Sequence, residues 1–151
     1  MEILTATTVS REPGPLLKLV DEYCAAIGAN ATGGTPTAAD WEPVRRVVAD
    51  DFHRDGAYLE ELDWDEYVAF LTQWAGSTRF EMTVFRVSEI GNVVVQEIEE
   101  RHYRGETFIL KNVVAVYEFN EERKIRYLGI YEQARDSGDW IKDAARQAEA
   151  G

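Results

Sequence analysis

Residues 79–133 read RFEMTVFRVSEIGNVVVQEIEERHYRGETFILKNVVAVYEFNEERKIRYLGIYEQ, and this stretch decides the fold. It predicts four consecutive β-strands over residues 80–88, 93–103, 107–119 and 124–133. Gly91-Asn92 and Arg104-Gly105-Glu106 mark the first two turns, because glycine takes positive φ without steric cost. An antiparallel meander of this length has one face to bury, so it needs helices to pack against.

Three helices are predicted upstream of the meander. The first carries apolar residues at helical spacing and ends at Gly28 as a left-handed cap. A Gly-rich loop over 29–37 leads to a second helix over about 38–48, and a short strand over 52–58 follows. Asp63 and Glu66 form a capping-box pattern at the start of the third helix. A last helix is predicted over 140–150, and residues 1–12, which lack a helical period, are expected to form an arm.

Length and charge limit the classes of protein. A chain of 151 residues is expected to fold as one domain over 1–151, with its core at about 16–133. Its formal charge of −12 repels phosphate backbones and anionic headgroups, so we expect neither a nucleic-acid nor a membrane partner. The longest apolar run, 113–117, is far shorter than the ~20 residues that span a bilayer. A lone Cys24 fits a reducing compartment, and a cytoplasmic location is expected.

The order of the elements and three local motifs resemble one known superfamily. The motifs are Tyr23-Cys-Ala-Ala-Ile-Gly28, Ala49-Asp-Asp-Phe52, and Tyr117-Glu-Phe-Asn with the later Lys124-Ile125 and Tyr131. Over about 16–133 the chain resembles the nuclear transport factor 2-like superfamily, which includes ketosteroid isomerase, limonene-epoxide hydrolase, scytalone dehydratase and the SnoaL-like polyketide cyclases. The resemblance implies an α+β, cone-shaped fold with a curved antiparallel sheet wrapped on about three N-terminal helices, plus a short C-terminal helix.

The resemblance also implies a pocket inside the cone that binds a small hydrophobic ligand and works without a cofactor. Carboxylates, tyrosines and amides act there on an apolar lining, where burial strengthens each polar interaction. Tyr23 matches the oxyanion-stabilising tyrosine of ketosteroid isomerase. The general-base aspartate of that enzyme falls at Gly56, one residue from Asp55, and its second acid falls at Val114 or Ala115.

Other known active sites of the superfamily are not reproduced either. The Asp-Arg-Asp set of limonene-epoxide hydrolase falls near Glu99, Arg101 and Ile130, which leaves only a charge pair in reversed order. Leu128 and Ile130 stand on the last strand, where related enzymes keep polar groups.

Alternation along the second meander strand offers two sets of pocket residues, of which only one can face inward. The first set is Glu97, Glu99, Arg101 and Tyr103, and the second is Gln96, Ile98, Glu100 and His102. An ungapped alignment with ketosteroid isomerase over 85–105 favours the first set. Glu99 would then act as the base and Arg101 as an oxyanion clamp. The alternative places this pair on a solvated or dimer-facing surface, since charged side chains are seldom buried.

The first predicted strand and the third strand of the meander also leave open which of their residues face the pocket. His53 and Asp55 share one face as a possible acid–base pair, whereas alignment with the superfamily places Arg54 nearer the pocket. Asn112 is the one polar residue on a face with Phe108, Leu110, Val114 and Val116, where it would orient a substrate carbonyl or bond a neighbouring backbone group.

Two hypotheses follow from these residues. In the first, the chain is an isomerase, cyclase, dehydratase or epoxide hydrolase acting on a hydrophobic, oxygenated molecule. Its expected catalytic residues are Tyr23, Asp55, Glu99 and Arg101, and its expected substrate contacts are Arg54, Tyr58, Trp74, Asn112, Leu128 and Ile130. In the second, the same fold is a non-catalytic ligand-binding or dimeric accessory module. No metal site is expected, because the two histidines lack a ligand spacing for zinc or iron.

A homodimer is the expected assembly in either case. In the register favoured above, the outer face of the meander carries an apolar stripe of Ile109, Val113, Ala115 and Tyr117, and exposing it would be costly.

Overall fold

The computed structural model describes residues 14–58, 60–133 and 139–150, so the expected arm over 1–12 lies outside the described residues. Four helices and six strands follow one another along the described part of the chain. They are α1 (Pro15–Asn30), a 3₁₀ turn (Ala38–Trp41), α2 (Glu42–Arg45), β1 (Val48–Asp55), β2 (Glu61–Asp63), α3 (Trp64–Ser77), β3 (Arg79–Ile90), β4 (Val93–Arg104), β5 (Thr107–Phe119), β6 (Ile125–Gln133) and α4 (Asp139–Ala150). The four-stranded meander predicted from the sequence is therefore present with nearly the expected bounds.

The six strands form one curved, open sheet with the order β2-β1-β6-β5-β4-β3. All neighbouring strands are antiparallel except β1 and β6, which run parallel. Helices α1, α2 and α3 pack on one face of this sheet, and the α+β cone expected from the sequence is confirmed. We call the face that the helices cover the inner face and the opposite one the outer face.

The core lies between α1, α2, α3 and the inner face of the sheet. Its largest fully buried side chains include Trp41, Phe119, Ile125 and Leu128. Burying a side chain of this size contributes roughly 1.5–3 kcal/mol to stability. The capping box at the start of α3 is also present, because Asp63 Oδ1 accepts from the Glu66 N–H and Glu66 Oε1 accepts from the Asp63 N–H.

Two predicted helix boundaries are wrong. Gly28 does not cap α1 but lies inside it, and the helix ends with the Ala31 N–H bonded to the Ile27 carbonyl. The predicted second helix over 38–48 is only a 3₁₀ turn and one helical turn. Val48 instead begins β1, where it pairs with Ile125 of β6, because tertiary pairing outweighs a short helical pattern.

The register expected for β4 and β5 is also wrong. Gln96 and Ile98 are buried on the inner face, whereas Glu99 and Arg101 lie on the outer face. The faces of β5 are exchanged in the same way: Ala115 and Tyr117 face inward, and Asn112 faces outward. A slip of one residue moves every side chain of a strand to the opposite face. β3 contains a one-residue bulge at Phe85, between the pairs Val84 with Ile98 and Arg86 with Glu97, within the stretch that the ungapped alignment spanned.

Candidate functional site

A cavity of about 350 Å³ lies between the inner face of the sheet and helices α1 and α3. Its apolar walls include Ile98, Ala115, Leu128 and Ile130 from three neighbouring strands. Side-chain exposure increases along β4 from buried Gln96 to exposed Arg104, so the closed end lies near Gln96 and the rim near Arg104.

Two tyrosine hydroxyls meet at the closed end of the cavity. Tyr23 of α1 and Tyr67 of α3 are buried, and their hydroxyl groups hydrogen-bond to each other. Burial raises the pKa of Tyr23 well above its usual value and also raises the pKa of Tyr67, although the positive charge of Arg54 lowers the latter. Both groups therefore stay protonated near neutral pH. The mutual hydrogen bond uses one of their two protons and leaves the other for a ligand oxygen.

A second polar group lies beside the tyrosines. The Tyr117 hydroxyl donates to Gln96 Oε1 at 3.2 Å, and Cys24 Sγ lies 3.8 Å from both of these oxygens. Burial raises the pKa of Cys24 and of Tyr117, so the thiol and the phenol remain neutral. This cluster satisfies the polar atoms at the closed end of the cavity.

The wall nearer the rim carries a carboxylate held by a histidine. His102 Nε2 lies 2.9 Å from Glu100 Oε2, and the side chains are 12% and 18% exposed. Trp74 Nε1 of α3 donates to His102 Nδ1 at 3.3 Å, which assigns the proton of the neutral imidazole to Nε2. Nε2–H therefore donates to Glu100, and the carboxylate keeps a second oxygen for other partners.

Two further charged groups lie on the wall formed by β5 and β6. Lys111 Nζ donates to Glu132 Oε1 at 2.7 Å, so these two charges neutralise each other at the cavity wall.

Arg54 of β1 enters the cavity from the opposite side. Its side chain is 12% exposed, and its guanidinium lies over the rings of Tyr67 and Phe70, with Cζ 5.4 and 5.3 Å from their centroids. Arg54 Nη1 is buried and has no hydrogen-bond acceptor among the residues that the structure describes; Glu60 Oε1 lies 3.8 Å away.

Six of the residues expected at the site do line the cavity. They are Tyr23, Arg54, Tyr58, Trp74, Leu128 and Ile130. Of the two alternatives for the first strand, the structure therefore has Arg54 in the cavity. Tyr58 stands at the rim and is 81% exposed.

Four expected site residues lie on the outer face instead, so the mechanism that places Glu99 and Arg101 inside the cone is wrong. Arg101 Nη1 donates to Glu99 Oε1 and to Thr83 Oγ1, each at 2.9 Å. Asn112 is exposed and donates to Gln133 Oε1 at 3.0 Å. Asp55 pairs with Gly129 of β6 on the same outer face.

Sequence reasoning assigned no site role to Tyr67 and gave Glu100 and His102 only as the other register. The signal for that register is the balance of apolar residues. Gln96 and Ile98 continue the apolar face that begins at buried Val94. The other set, Glu97, Glu99, Arg101 and Tyr103, holds three charged residues, which are seldom buried together. Tyr67 was part of the apolar stripe of α3, and only its contact with Tyr23 distinguishes it from a core residue.

Within the described part of the chain, no three His, Cys, Asp or Glu residues are close enough to hold a metal ion. No described helix is long and apolar enough to cross a bilayer.

Comparison with solved structures identifies the fold. An LEH-like epoxide hydrolase from M. tuberculosis is 18% identical, with a TM-score of 0.65 over 89% of this chain and 92% of that one. BvnE pinacolase from Penicillium brevicompactum is 16% identical, with a TM-score of 0.64 over 89% and 95%. An NTF2-like protein of unknown function from Exiguobacterium sp. 255-15 is 13% identical, with a TM-score of 0.63 over 76% and 98%. The chain thus has the NTF2-like fold.

The sequence comparisons add nothing to this. No family model matches the chain, and no curated protein matches it.

Proposed function

We propose that the chain binds a hydrophobic, oxygenated small molecule in the cone cavity and catalyses cofactor-independent acid–base chemistry on it. The reaction is of the isomerase, cyclase, dehydratase or epoxide-hydrolase type. One observation carries this proposal: a carboxylate, Glu100, is held by His102 at 2.9 Å inside a cavity with apolar walls.

Glu100 is the proposed general base. The His102 N–H stabilises its charge and fixes the orientation of the carboxylate, because Trp74 in turn fixes the imidazole. The second carboxylate oxygen takes a proton from the substrate or from an attacking water molecule. A positioned base of this kind contributes about 10²–10⁴-fold to a reaction rate.

The free proton of the Tyr23–Tyr67 pair is the proposed hydrogen-bond donor to the substrate oxygen. The raised pKa values keep both hydroxyls protonated, and burial of the pair strengthens its interaction with a developing negative charge. The same pair serves a carbonyl that becomes an enolate and an epoxide oxygen that becomes an alkoxide.

The fold neighbours support this class of chemistry, since the M. tuberculosis protein is described as an epoxide hydrolase and the Penicillium protein as a pinacolase. Both are enzymes of the same fold.

A panel of apolar epoxides and β,γ-unsaturated ketones tests the proposal. We expect turnover of at least one compound class, and Glu100→Gln should lower kcat by about 10²-fold or more. Glu99→Gln is the matched control, because Glu99 directly precedes Glu100 in β4 and points away from the cavity. If both variants lose activity equally, or if Glu100→Gln is fully active, Glu100 is not the base.

We also propose that the protein is a homodimer formed through the outer face of the sheet. The expected stripe of Ile109, Val113, Ala115 and Tyr117 lies on the inner face, where its residues line the cavity or belong to the core. Other apolar side chains occupy the outer face. Phe108 and Tyr131 are 53% and 59% exposed, and Leu110, Val114 and Val116 lie beside them, half-buried. An apolar surface of this kind is typical of a protein–protein interface.

A further inference from the structure

Arg54 is a cation of the cavity with one buried hydrogen-bond donor, Nη1, that no described residue uses. Glu60 Oε1, at 3.8 Å, is beyond hydrogen-bond distance, and the other oxygen of this carboxylate accepts the Tyr58 N–H at 2.9 Å. A buried donor without an acceptor costs free energy that a suitable ligand recovers on binding.

The other cations that line the cavity have partners. Lys111 is paired with Glu132 at 2.7 Å, and exposed Arg104 lies at the rim, where its Nη2 is 3.5 Å from Ser77 Oγ. Glu60, which lies 3.8 Å from Arg54, is 41% exposed, so water screens much of its attraction. Arg54 therefore offers both an unused donor, Nη1, and a charge that is only partly neutralised.

The surroundings of Arg54 favour a planar, anionic ligand group. The guanidinium Cζ lies over the rings of Tyr67 and Phe70, 5.4 and 5.3 Å from their centroids. Such a cation–π contact does not use up the N–H donors, and the guanidinium fork matches the two oxygens of a carboxylate. A neutral carbonyl would occupy one donor but would not neutralise the charge.

We propose that the ligand of this cavity carries a carboxylate, which Arg54 binds, together with an apolar body that lies against Ile98, Leu128 and Ile130. This inference rests on the proposed function only in taking the cavity as the ligand site. It narrows the substrate class to hydrophobic carboxylic acids, whose reacting carbon or oxygen lies elsewhere in the same molecule.

Two probes of equal shape test the proposal: 2-naphthoate, which is anionic at neutral pH, and 2-naphthamide, which is neutral. Isothermal titration of the full-length protein should show that 2-naphthoate binds about tenfold more tightly or better. Arg54→Gln should remove this preference, and Arg54→Lys should keep part of it, because lysine retains the charge but not the planar fork.

Two variants of neighbouring charges complete the test. Glu60→Gln removes the competing carboxylate and should strengthen 2-naphthoate binding without changing that of 2-naphthamide. Lys111→Met removes a cation that already has a partner, so the preference for 2-naphthoate should persist. Equal affinity of the wild-type protein for the two probes, or absence of naphthoate binding, overturns the proposal. A preference for 2-naphthoate over 2-naphthamide that survives Arg54→Gln but disappears in Lys111→Met also overturns the proposal.

These measurements separate the carboxylate site from the proposed catalytic role of Glu100. Glu100→Gln should leave Arg54-dependent binding of 2-naphthoate intact. If that binding is present but Glu100→Gln does not reduce turnover, the proposed function fails and the carboxylate site stands. If turnover depends on Glu100 but neither probe is distinguished, the carboxylate site fails and the proposed function stands.

Discussion

His102 Nε2 lies 2.9 Å from Glu100 Oε2, and this pair joins two residues of one strand that face the same side of the sheet. The ring is fixed from its other side by Trp74, which belongs to α3 and donates to Nδ1 at 3.3 Å. A helix and a strand together therefore hold one carboxylate at the cavity wall.

The first prediction concerns the tautomer of His102. Trp74→Phe removes the N–H that occupies Nδ1 but keeps an aromatic ring. We expect ¹⁵N NMR of the imidazole to show the Nε2–H form in the wild-type protein and a mixture of tautomers in the variant. His53, which lies on the outer face, provides the control signal, and its spectrum should not change. A wild-type ring protonated on Nδ1 would contradict the arrangement.

The buried tyrosine pair is expected to behave as a coupled unit. Tyr23→Phe and Tyr67→Phe each leave one buried hydroxyl without its partner, at a cost of about 1–3 kcal/mol in the free energy of unfolding. The double variant should cost less than the sum of the two, with a coupling of about 0.5–3 kcal/mol in urea titrations. Tyr58→Phe, at an exposed rim residue, serves as the control and should change stability by less than about 0.5 kcal/mol. Strict additivity would mean that the two hydroxyls do not interact.

The start of α3 depends on its capping box. Asp63→Ala removes the side chain that accepts from the Glu66 N–H, and we expect it to lower the free energy of unfolding by about 1 kcal/mol. Asp63→Asn keeps an acceptor at the same position and should retain most of the stability. Thermal unfolding of the two variants distinguishes loss of the cap from loss of charge. Equal destabilisation by both would assign the effect to charge alone.

Alkaline stability should depend on Tyr127 on the outer face. Burial, then the hydrogen bond with Tyr131 and the charge of Asp55, raises the pKa of Tyr127 from 10.0 to about 12. Between pH 10.0 and about pH 12, the unfolded chain has lost the phenolic proton of Tyr127 while the folded protein keeps it. The contribution of Tyr127 is thus complete below pH 10.0 and is lost as the pH rises to about 12. Unfolding followed by urea titration across this range should show a smaller loss of stability for Tyr127→Phe than for the wild-type protein.

Gly129 offers a second test of the same group. A Cβ atom at this position would lie 2.5 Å from the Tyr127 hydroxyl oxygen, so Gly129→Ala must displace that ring. We expect the pKa of Tyr127 in Gly129→Ala to move towards 10, as measured by tyrosinate absorbance. An unchanged titration would show that the ring moves without leaving Tyr131 and Asp55.

The proposed dimer can be broken on the outer face. Val114→Glu and Tyr131→Glu place charges on paired residues of β5 and β6, and sedimentation velocity should then show monomers. Tyr58→Glu is the control: Tyr58 is 81% exposed at the rim of the cavity and not on the outer face, so the variant should remain a dimer. A wild-type protein that sediments as a monomer at high concentration would rule out the dimer.

Part of the site could be predicted from the sequence, and the reason lies in how local each feature is. Tyr23 falls on the buried stripe of a helix, and Leu128 and Ile130 fall on the buried face of a strand. Such positions follow from the period of the element alone. By contrast, Tyr67 joins Tyr23 across 44 positions of the chain, and no local pattern indicates that contact.

The sequence by itself determined the four strands of the meander, their turns and the cap of α3, because these depend on residues close together in the chain. It also limited the inner face of β4 to two sets of residues. Only the tertiary structure decided between them, since the alternation of side chains is the same for both faces. Packing against α1 and α3 buries Gln96 and Ile98 and leaves Glu99 and Arg101 outside, so the docking of the helices places Glu100 and His102 in the cavity.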